Sequence, residues 1–223
     1  YLFDRIKNKT IKLILFLFIT IAAVSLVFAA YKRNIIYADL VTILLDELKY
    51  VPNSSTTDNR LGEAYLDKKM LDEAEIEFKK AIELSPIGSS ISHKNLGTVY
   101  EQKGLFDKAV EEYNLAIKFS NFALGMVWGG KSVRDTIDAQ SHTSLGEIYY
   151  KKGLFDDAIM EYREAVRLNP SASLYNYLGD VYMKKGLLDD AEKAFAEALK
   201  LEPNDENIQH NFEVVKKEKQ KIR

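Results

Sequence analysis

The side chains best suited to chemistry at neutral pH are three histidines, because imidazole can both bind a metal and transfer a proton. His93 and His142 each lie three residues before a leucine in two similar stretches, and His210 lies alone near the C-terminus. A metal shared by His93 and His142 would need further ligands, and no other residue has a suitable spacing. We therefore expect both imidazoles to pack between helices, with no metal site.

Other reactive groups are also scarce. The absence of cysteine removes thiolate metal sites, disulfides and cysteine nucleophiles. There is no G-x-S-x-G nucleophile motif, no glycine-rich phosphate loop and no H-E-x-x-H metal motif. The acid pairs Asp156/Asp157 and Asp189/Asp190 lie where helices are expected to begin, which does not indicate a catalytic dyad. The sequence predicts a protein that is not an enzyme, with no cofactor and no small-molecule substrate.

Charge is distributed unevenly along the chain. Of 31 basic and 33 acidic side chains, six basic and one acidic lie in residues 1–33, so 25 basic and 32 acidic remain for the rest. An acidic body without a basic stripe repels a phosphate backbone. We therefore expect no nucleic-acid partner.

Residues 13–31 form a long apolar stretch of nineteen residues without a charge. As a helix this stretch would span about 28 Å, close to the ~30 Å hydrocarbon thickness of a bilayer. Lys12 precedes it and Lys32 and Arg33 follow it, so a cation can reach the headgroups at either end. We predict a single transmembrane helix that contacts the lipid bilayer.

Two alternatives stay open for this stretch. A cleaved signal peptide has a shorter apolar core and a small-x-small cleavage site, which Val27-Phe28-Ala29 matches poorly. A buried helix of a soluble protein would have a polar face, which is missing here. Four basic residues precede the span and two follow it. The positive-inside rule then places residues 1–12 in the cytoplasm and the C-terminal part outside it, as in a single-pass protein of a bacterial inner membrane.

Four segments, beginning at residues 61, 96, 145 and 178, repeat one pattern: L-G-x-x-Y, then A-x-x-x-F/Y, a further alanine and usually a proline. Seven to eight positions recur at one spacing in all copies. The pattern resembles the tetratricopeptide repeat, and the resemblance covers about two-thirds of the chain. It implies an all-α fold, a right-handed α-solenoid of stacked helix pairs, here preceded by the predicted transmembrane helix.

The recurring positions have physical roles. Each leucine and the tyrosine four residues later form an apolar stripe on the first helix. Glycine ends that helix in three copies, whereas Lys69 takes the position in the first. We expect the motif glycine to meet an alanine of the second helix, pairing Gly62, Gly97, Gly146 and Gly179 with Ala74, Ala109, Ala158 and Ala191. We also expect aspartate to cap the second helix, at Asp72, Asp107, Asp156 and Asp189.

The repeat spacing predicts the domain organisation. A flank (1–12), the transmembrane helix (13–31) and a juxtamembrane helix with linker (32–54) precede four repeats at about 55–88, 90–123, 139–171 and 172–203, and a capping helix with a basic tail follows at 204–223. The motif leucines are 35, 49 and 33 residues apart, which indicates an insertion at about 122–136. Met126 and Trp128 in this insertion either fill a gap between helix pairs or contact a partner.

The resemblance also implies a site, because the first helices of tetratricopeptide repeats line a concave groove that holds a partner segment. The groove positions are Asn59, Glu63, Leu66, Asp67, Lys94, Thr98, Glu101, Gln102, Thr143, Glu147, Tyr150, Lys151, Asn176, Asp180, Met183 and Lys184. The Lys/Asn clamp with which chaperone-binding members hold a terminal carboxylate is absent. Apolar positions among polar ones suit a helix or an extended segment instead.

We interpret the chain as a membrane-anchored scaffold for protein–protein interaction. Its expected role is that of a structural or assembly subunit, with other protein subunits of a membrane complex as partners. Two alternatives stay open: a free adaptor that recruits soluble partners transiently, and the scaffold portion of a longer catalytic polypeptide.

Overall fold

The computed structural model describes the backbone of residues 9–123 and 130–222, and the side chains in those ranges except at residues 9–15, 30, 32–39, 121–123 and 130–132. Across the described ranges the chain forms ten α-helices and no β-strand, which confirms the predicted all-α fold. The chain divides into two compact units, Tyr1–Pro52 and Asn53–Arg223.

The first unit contains one long helix, α1 (Lys9–Tyr50). It runs without a break through the predicted membrane segment and most of the predicted juxtamembrane segment. Apolar side chains in its N-terminal half are exposed, Phe18 by 73% and Leu26 by 72%. Among the residues whose side chains are described, no helix has both the length and the apolar character needed to cross a membrane. The assignment of residues 13–31 to a bilayer stays a prediction.

The second unit is a series of helix pairs, one pair for each sequence repeat. The pairs are α2 (Ser55–Asp67) with α3 (Leu71–Leu84), α4 (Ser90–Gln102) with α5 (Phe106–Ala123), α6 (Gly130–Lys151) with α7 (Phe155–Leu168), and α8 (Ala172–Lys184) with α9 (Leu188–Leu201). A last helix, α10 (Glu206–Ile222), packs on α8 and α9, with Ile208 and Val215 buried. The helix therefore continues through most of the segment predicted to be a basic tail.

The inserted segment at 122–136 is helical wherever the structure describes it. Its first two residues end α5, and its last residues begin α6, which has 22 residues where α2, α4 and α8 have 13 each. The insertion therefore lengthens the first helix of the third repeat. Met126 and Trp128, the predicted contact residues, lie outside the described part of the chain.

Each motif glycine lies against an aromatic ring of its own repeat. A Cβ built on Gly62, Gly97, Gly146 or Gly179 would come within 2.6–2.8 Å of a ring carbon of Phe78, Tyr113, Tyr162 or Phe195, respectively. We predicted an alanine at this contact, whereas the three atoms nearest to each built Cβ belong to the ring four residues beyond that alanine. The alanines are fully buried and allow the second helix to pack closely.

The turn inside each repeat requires a left-handed residue. Gly104, Gly153 and Gly186 have φ of 74°, 74° and 77°, as expected for residues that end the first helix. Lys69 has a φ of 62° at the same position, a conformation that costs a side-chain-bearing residue roughly 1–2 kcal/mol. The turn therefore has a left-handed residue at the same position in all four repeats, and only in the first is it strained, because Lys69 carries a side chain.

The predicted aspartate caps were wrong. The N-cap residues of α3, α7 and α9 are Met70, Leu154 and Leu187, and none of them makes a side-chain cap hydrogen bond. The aspartates lie in the first helical turn instead, where a negative charge is favourable. Each pairs with a lysine just after the C-terminal end of the next first helix, or within α10: Lys103–Asp72 (2.6 Å), Lys152–Asp107 (2.5 Å), Lys185–Asp156 and Lys219–Asp189 (2.6 Å). These bridges join neighbouring repeats.

Candidate partner-binding groove

All sixteen predicted groove residues lie on the first helices of the repeats. First helices contact each other at α2–α4 and α4–α6, and α8 contacts the last helix, α10. The first helices together form one face of the stack of repeats. We call this face the groove.

At its N-terminal end the groove is closed by hydrogen bonds between repeats. The Asn95 amide donates to Glu63 Oε1 (2.9 Å), and the Ser92 hydroxyl donates to Asn59 Oδ1 (3.0 Å). The Asn59 amide also donates to Glu63 Oε1 (3.0 Å). Asn59 and Glu63 were predicted to face a partner, yet their polar atoms hold α2 to α4. Asn95 is 5% exposed and was missed, because its role depends on how two repeats stack.

The middle of the groove contains a polar pocket of about 340 Å³ lined by Lys94, Thr98, Gln140, Thr143 and Ser144. The Lys94 ammonium donates to Gln140 Oε1 (3.2 Å) across the gap between α4 and α6. Burial lowers the pKa of Lys94, and the charge of Glu63 partly offsets this effect. An anionic or carbonyl group placed here would complete the environment of Lys94.

A second pocket of about 200 Å³ lies between the third and fourth repeats. We call it the tyrosine pocket, and it is lined by Glu147, Tyr150, Lys151, Tyr162, Tyr177, Asp180 and Val181. Four of these were predicted groove residues, whereas Tyr162, Tyr177 and Val181 were not. The rings of Tyr162 on α7 and Tyr177 on α8 stack at a centroid distance of 5.7 Å. The pocket thus combines aromatic walls with two carboxylates.

The carboxylates of the tyrosine pocket lack full compensation for their burial. Burial raises the pKa of Glu147, the charge of Glu101 raises it further, and Lys151 offsets part of the effect. Burial also raises the pKa of Asp180, with Lys184 acting in the opposite direction. The Lys151 ammonium donates to Glu101 Oε1 (3.2 Å). The pocket therefore favours a ligand that carries positive charge or donates hydrogen bonds.

The histidines have structural partners. His93 is 6% exposed, its Nδ1 lies 2.7 Å from Glu112 Oε2, and its ring stacks on Phe119 at 5.2 Å. In the next repeat, His142 Nδ1 lies 2.6 Å from Glu161 Oε2. Where the structure describes side chains, no group of three or more His, Cys, Asp or Glu residues could hold a metal ion. Both imidazoles join a first helix to a second helix, in line with the packing role predicted for them.

Comparisons with known proteins show which family the repeats match. Family models described as tetratricopeptide repeat match residues 59–87, 94–121 and 143–206. A comparison with curated proteins gave no match.

Solved structures show the same fold. A crystal structure of MamA is 26% identical with a TM-score of 0.60, covering 73% of this chain and 86% of that one. The C-terminal part of a repeat-containing protein from Cytophaga hutchinsonii is 20% identical with a TM-score of 0.65, covering 82% of this chain and 66% of that one. PilF from Pseudomonas aeruginosa is 20% identical with a TM-score of 0.58, covering 75% of this chain and 69% of that one. The last two show the fold alone.

The left-handed turn residue of each helix pair lies within a range that the family models match. Since the family models together match more than half of the residues, the chain belongs to the tetratricopeptide repeat family.

Proposed function

We propose that this chain is a protein-binding scaffold that holds a segment of a partner protein along the groove. The observation that carries the proposal is the presence of two pockets between neighbouring repeats, both on the face formed by the first helices. The two pockets differ in chemistry, one polar with a half-buried lysine and one aromatic with two carboxylates. A polypeptide presents side chains of different kinds at regular intervals, so it suits such a surface.

Substitutions in the groove test this proposal. Combining Glu147→Lys with Tyr150→Ala removes one carboxylate and one ring of the tyrosine pocket. Loss of an anchor of this kind commonly costs ~2 kcal/mol, about a thirtyfold loss in affinity. Co-purification of the partner should fall accordingly, while Met160→Ala, at a 61% exposed position of α7 outside the groove, should change nothing. If the partner co-purifies equally with the wild type, the double variant and Met160→Ala, and circular dichroism shows that each is folded, binding in the groove is contradicted.

We further propose that residues 13–31 anchor the scaffold in a membrane, with the repeats on the extracytoplasmic side. Support comes from the nineteen uncharged residues between Lys12 and Lys32, which lie within the continuous helix α1. If the anchor is present, carbonate washing leaves the full-length chain in the membrane pellet. Release into the supernatant contradicts the anchor. Protease protection in sealed vesicles tests the orientation, and degradation of the repeats from the cytoplasmic side alone would reverse it.

An anchored scaffold with two unlike pockets fits a structural or assembly subunit of a membrane complex. A permanent subunit and a transient adaptor differ in how long the chain stays bound to its partner. We expect the chain to run with its partner at fixed stoichiometry during size exclusion of a mild detergent extract. Elution of the chain alone would favour the adaptor alternative.

A further inference from the structure

The tyrosine pocket contains a tyrosine hydroxyl that has no hydrogen-bond partner among the described residues. Tyr162 is 2% exposed and lines the pocket, and within the described part of the chain its hydroxyl makes no hydrogen bond. Tyr113 holds the same position in the second repeat, where its hydroxyl donates to Glu101 Oε2 (3.0 Å) and lies 3.3 Å from the Thr98 hydroxyl. The rest of the Tyr162 side chain is enclosed, so its hydroxyl is available to bond water or a ligand group that enters the pocket.

The sequence explains why the two tyrosines differ. In the third repeat, Tyr150 stands at the position of Glu101, and Glu147 stands at the position of Thr98. The acceptor that serves Tyr113 is therefore replaced by a ring. The first and fourth repeats avoid the problem, since Phe78 and Phe195 have no hydroxyl. Among the four repeats, only the third therefore has a tyrosine at this position whose hydroxyl has no partner among the described residues.

Neither carboxylate of the pocket has a close hydrogen-bond donor among the described residues. Over the described residues, Glu147 forms neither a hydrogen bond nor an ion pair, and Asp180 receives only a long contact of 3.5 Å from the Asn211 amide. Lys151 lies in the pocket wall, but its ammonium bonds to Glu101. Among the described residues, neither acid is therefore bonded to a cation.

We propose that the tyrosine pocket receives an arginine side chain from the partner segment, an inference that rests on the proposed function of the groove. A guanidinium carries five N–H donors in a plane, so one group can donate to Glu147, Asp180 and the Tyr162 oxygen together. Its flat faces stack on aromatic rings, and the stacked rings of Tyr162 and Tyr177 form one wall of the pocket. A lysine ammonium is a compact charge that cannot stack in this way.

The test begins with a displayed library of random twelve-residue peptides selected against the full chain in detergent. Binders are synthesised in matched sets in which each arginine is replaced by lysine, citrulline or alanine. We expect the selected peptides to share one arginine whose change to citrulline, which keeps the shape and removes the charge, weakens binding tenfold or more. Lysine should bind more weakly than arginine.

Variants of the chain test whether the peptide arginine binds in the tyrosine pocket. Glu147→Gln and Asp180→Asn should each weaken the arginine peptide about tenfold and the citrulline peptide little, and Tyr162→Phe, which removes only the hydroxyl, should weaken it about threefold. Asp157→Asn is the matched control, because it removes one negative charge at an exposed position of α7, outside the groove. It should leave the affinity within twofold. Circular dichroism checks that each variant is folded.

The outcomes separate this inference from the proposed function. If groove substitutions such as Lys94→Ala weaken the selected peptides but arginine and citrulline bind equally, the groove binds peptides and the arginine assignment is wrong. If lysine binds as well as arginine, the guanidinium argument is wrong. If no selected peptide responds to any groove substitution, or none is selected, the proposed function fails together with the inference.

Discussion

Gly146→Ala tests the packing that shapes the tyrosine pocket. The added methyl group would lie 2.8 Å from Cε1, 2.9 Å from Cδ1 and 3.0 Å from Cζ of Tyr162. The ring has little freedom to move away, because Tyr162 is 2% exposed and stacks on Tyr177. Either α6 and α7 must separate or the ring must leave its stack.

Two opposing effects set the size of the change. Overpacking of this kind typically costs ~1–3 kcal/mol, whereas replacing a helical glycine by alanine gains up to about 1 kcal/mol. We therefore expect a net loss of about 1 kcal/mol, which corresponds to about 2–4 °C in Tm for a domain of this size. Because each repeat contacts only its neighbours, the loss should extend to the repeats on either side.

Urea unfolding followed by far-UV circular dichroism measures the change. Ser173→Ala at an exposed position of α8 is the control, since it changes helix propensity without meeting a neighbour. A rise in the urea midpoint of Gly146→Ala by the full propensity gain would show that the Tyr162 ring does not lie against α6. The pocket geometry would then be wrong.

Three further substitutions test other parts of the structure. Lys69→Gly should stabilise the chain by about 1 kcal/mol because it relieves a φ of 62°, and a lower urea midpoint would contradict this account of the turn. Glu147→Gln should raise Tm at neutral pH. Burial raises the pKa of Glu147 above its ordinary value of 4.5, so ionisation of Glu147 destabilises the folded state as pH rises from 4.5 through the raised pKa. The difference in Tm between Glu147→Gln and the wild type should therefore vanish in acid. A difference that grows in acid would contradict a raised pKa. Asn95→Ala should cost about 1–3 kcal/mol by leaving Glu63 without its inter-repeat donor, and an unchanged urea midpoint would show that this bond is dispensable.

The repeats and their turns were predictable because they depend on local sequence. A leucine and a tyrosine four residues apart place one apolar stripe on a helix, and Gly104, Gly153 and Gly186 end helices by taking positive φ. The aspartate positions were recognised, but their role was misassigned. An aspartate near a helix start looks like a cap, and the lysine that pairs with Asp107 is 45 residues away in the sequence. Only the stacking of repeats brings them together.

The tyrosine pocket was only half predictable for the same reason. Positions taken from the family identify Glu147, Tyr150 and Asp180 on the first helices, but Tyr162 belongs to a second helix and resembles a core residue. One signal was present in the sequence: Tyr162 carries a hydroxyl where the equivalent residues of the first and fourth repeats do not, and the acid that serves Tyr113 is missing from its repeat. Reading that signal requires knowing which residues surround the hydroxyl.

Site-specific photocross-linking tests the central claim, that the groove holds a partner protein, most directly. A benzophenone amino acid is placed at Tyr177, which lies in the tyrosine pocket and is 39% exposed, or at Met160, which is 61% exposed and lies outside the groove. After illumination of cells that naturally produce the chain, we predict one defined adduct from position 177 that Glu147→Gln diminishes, and none from position 160. Adducts from position 160 alone, or equal adducts from both positions, would contradict binding in the groove.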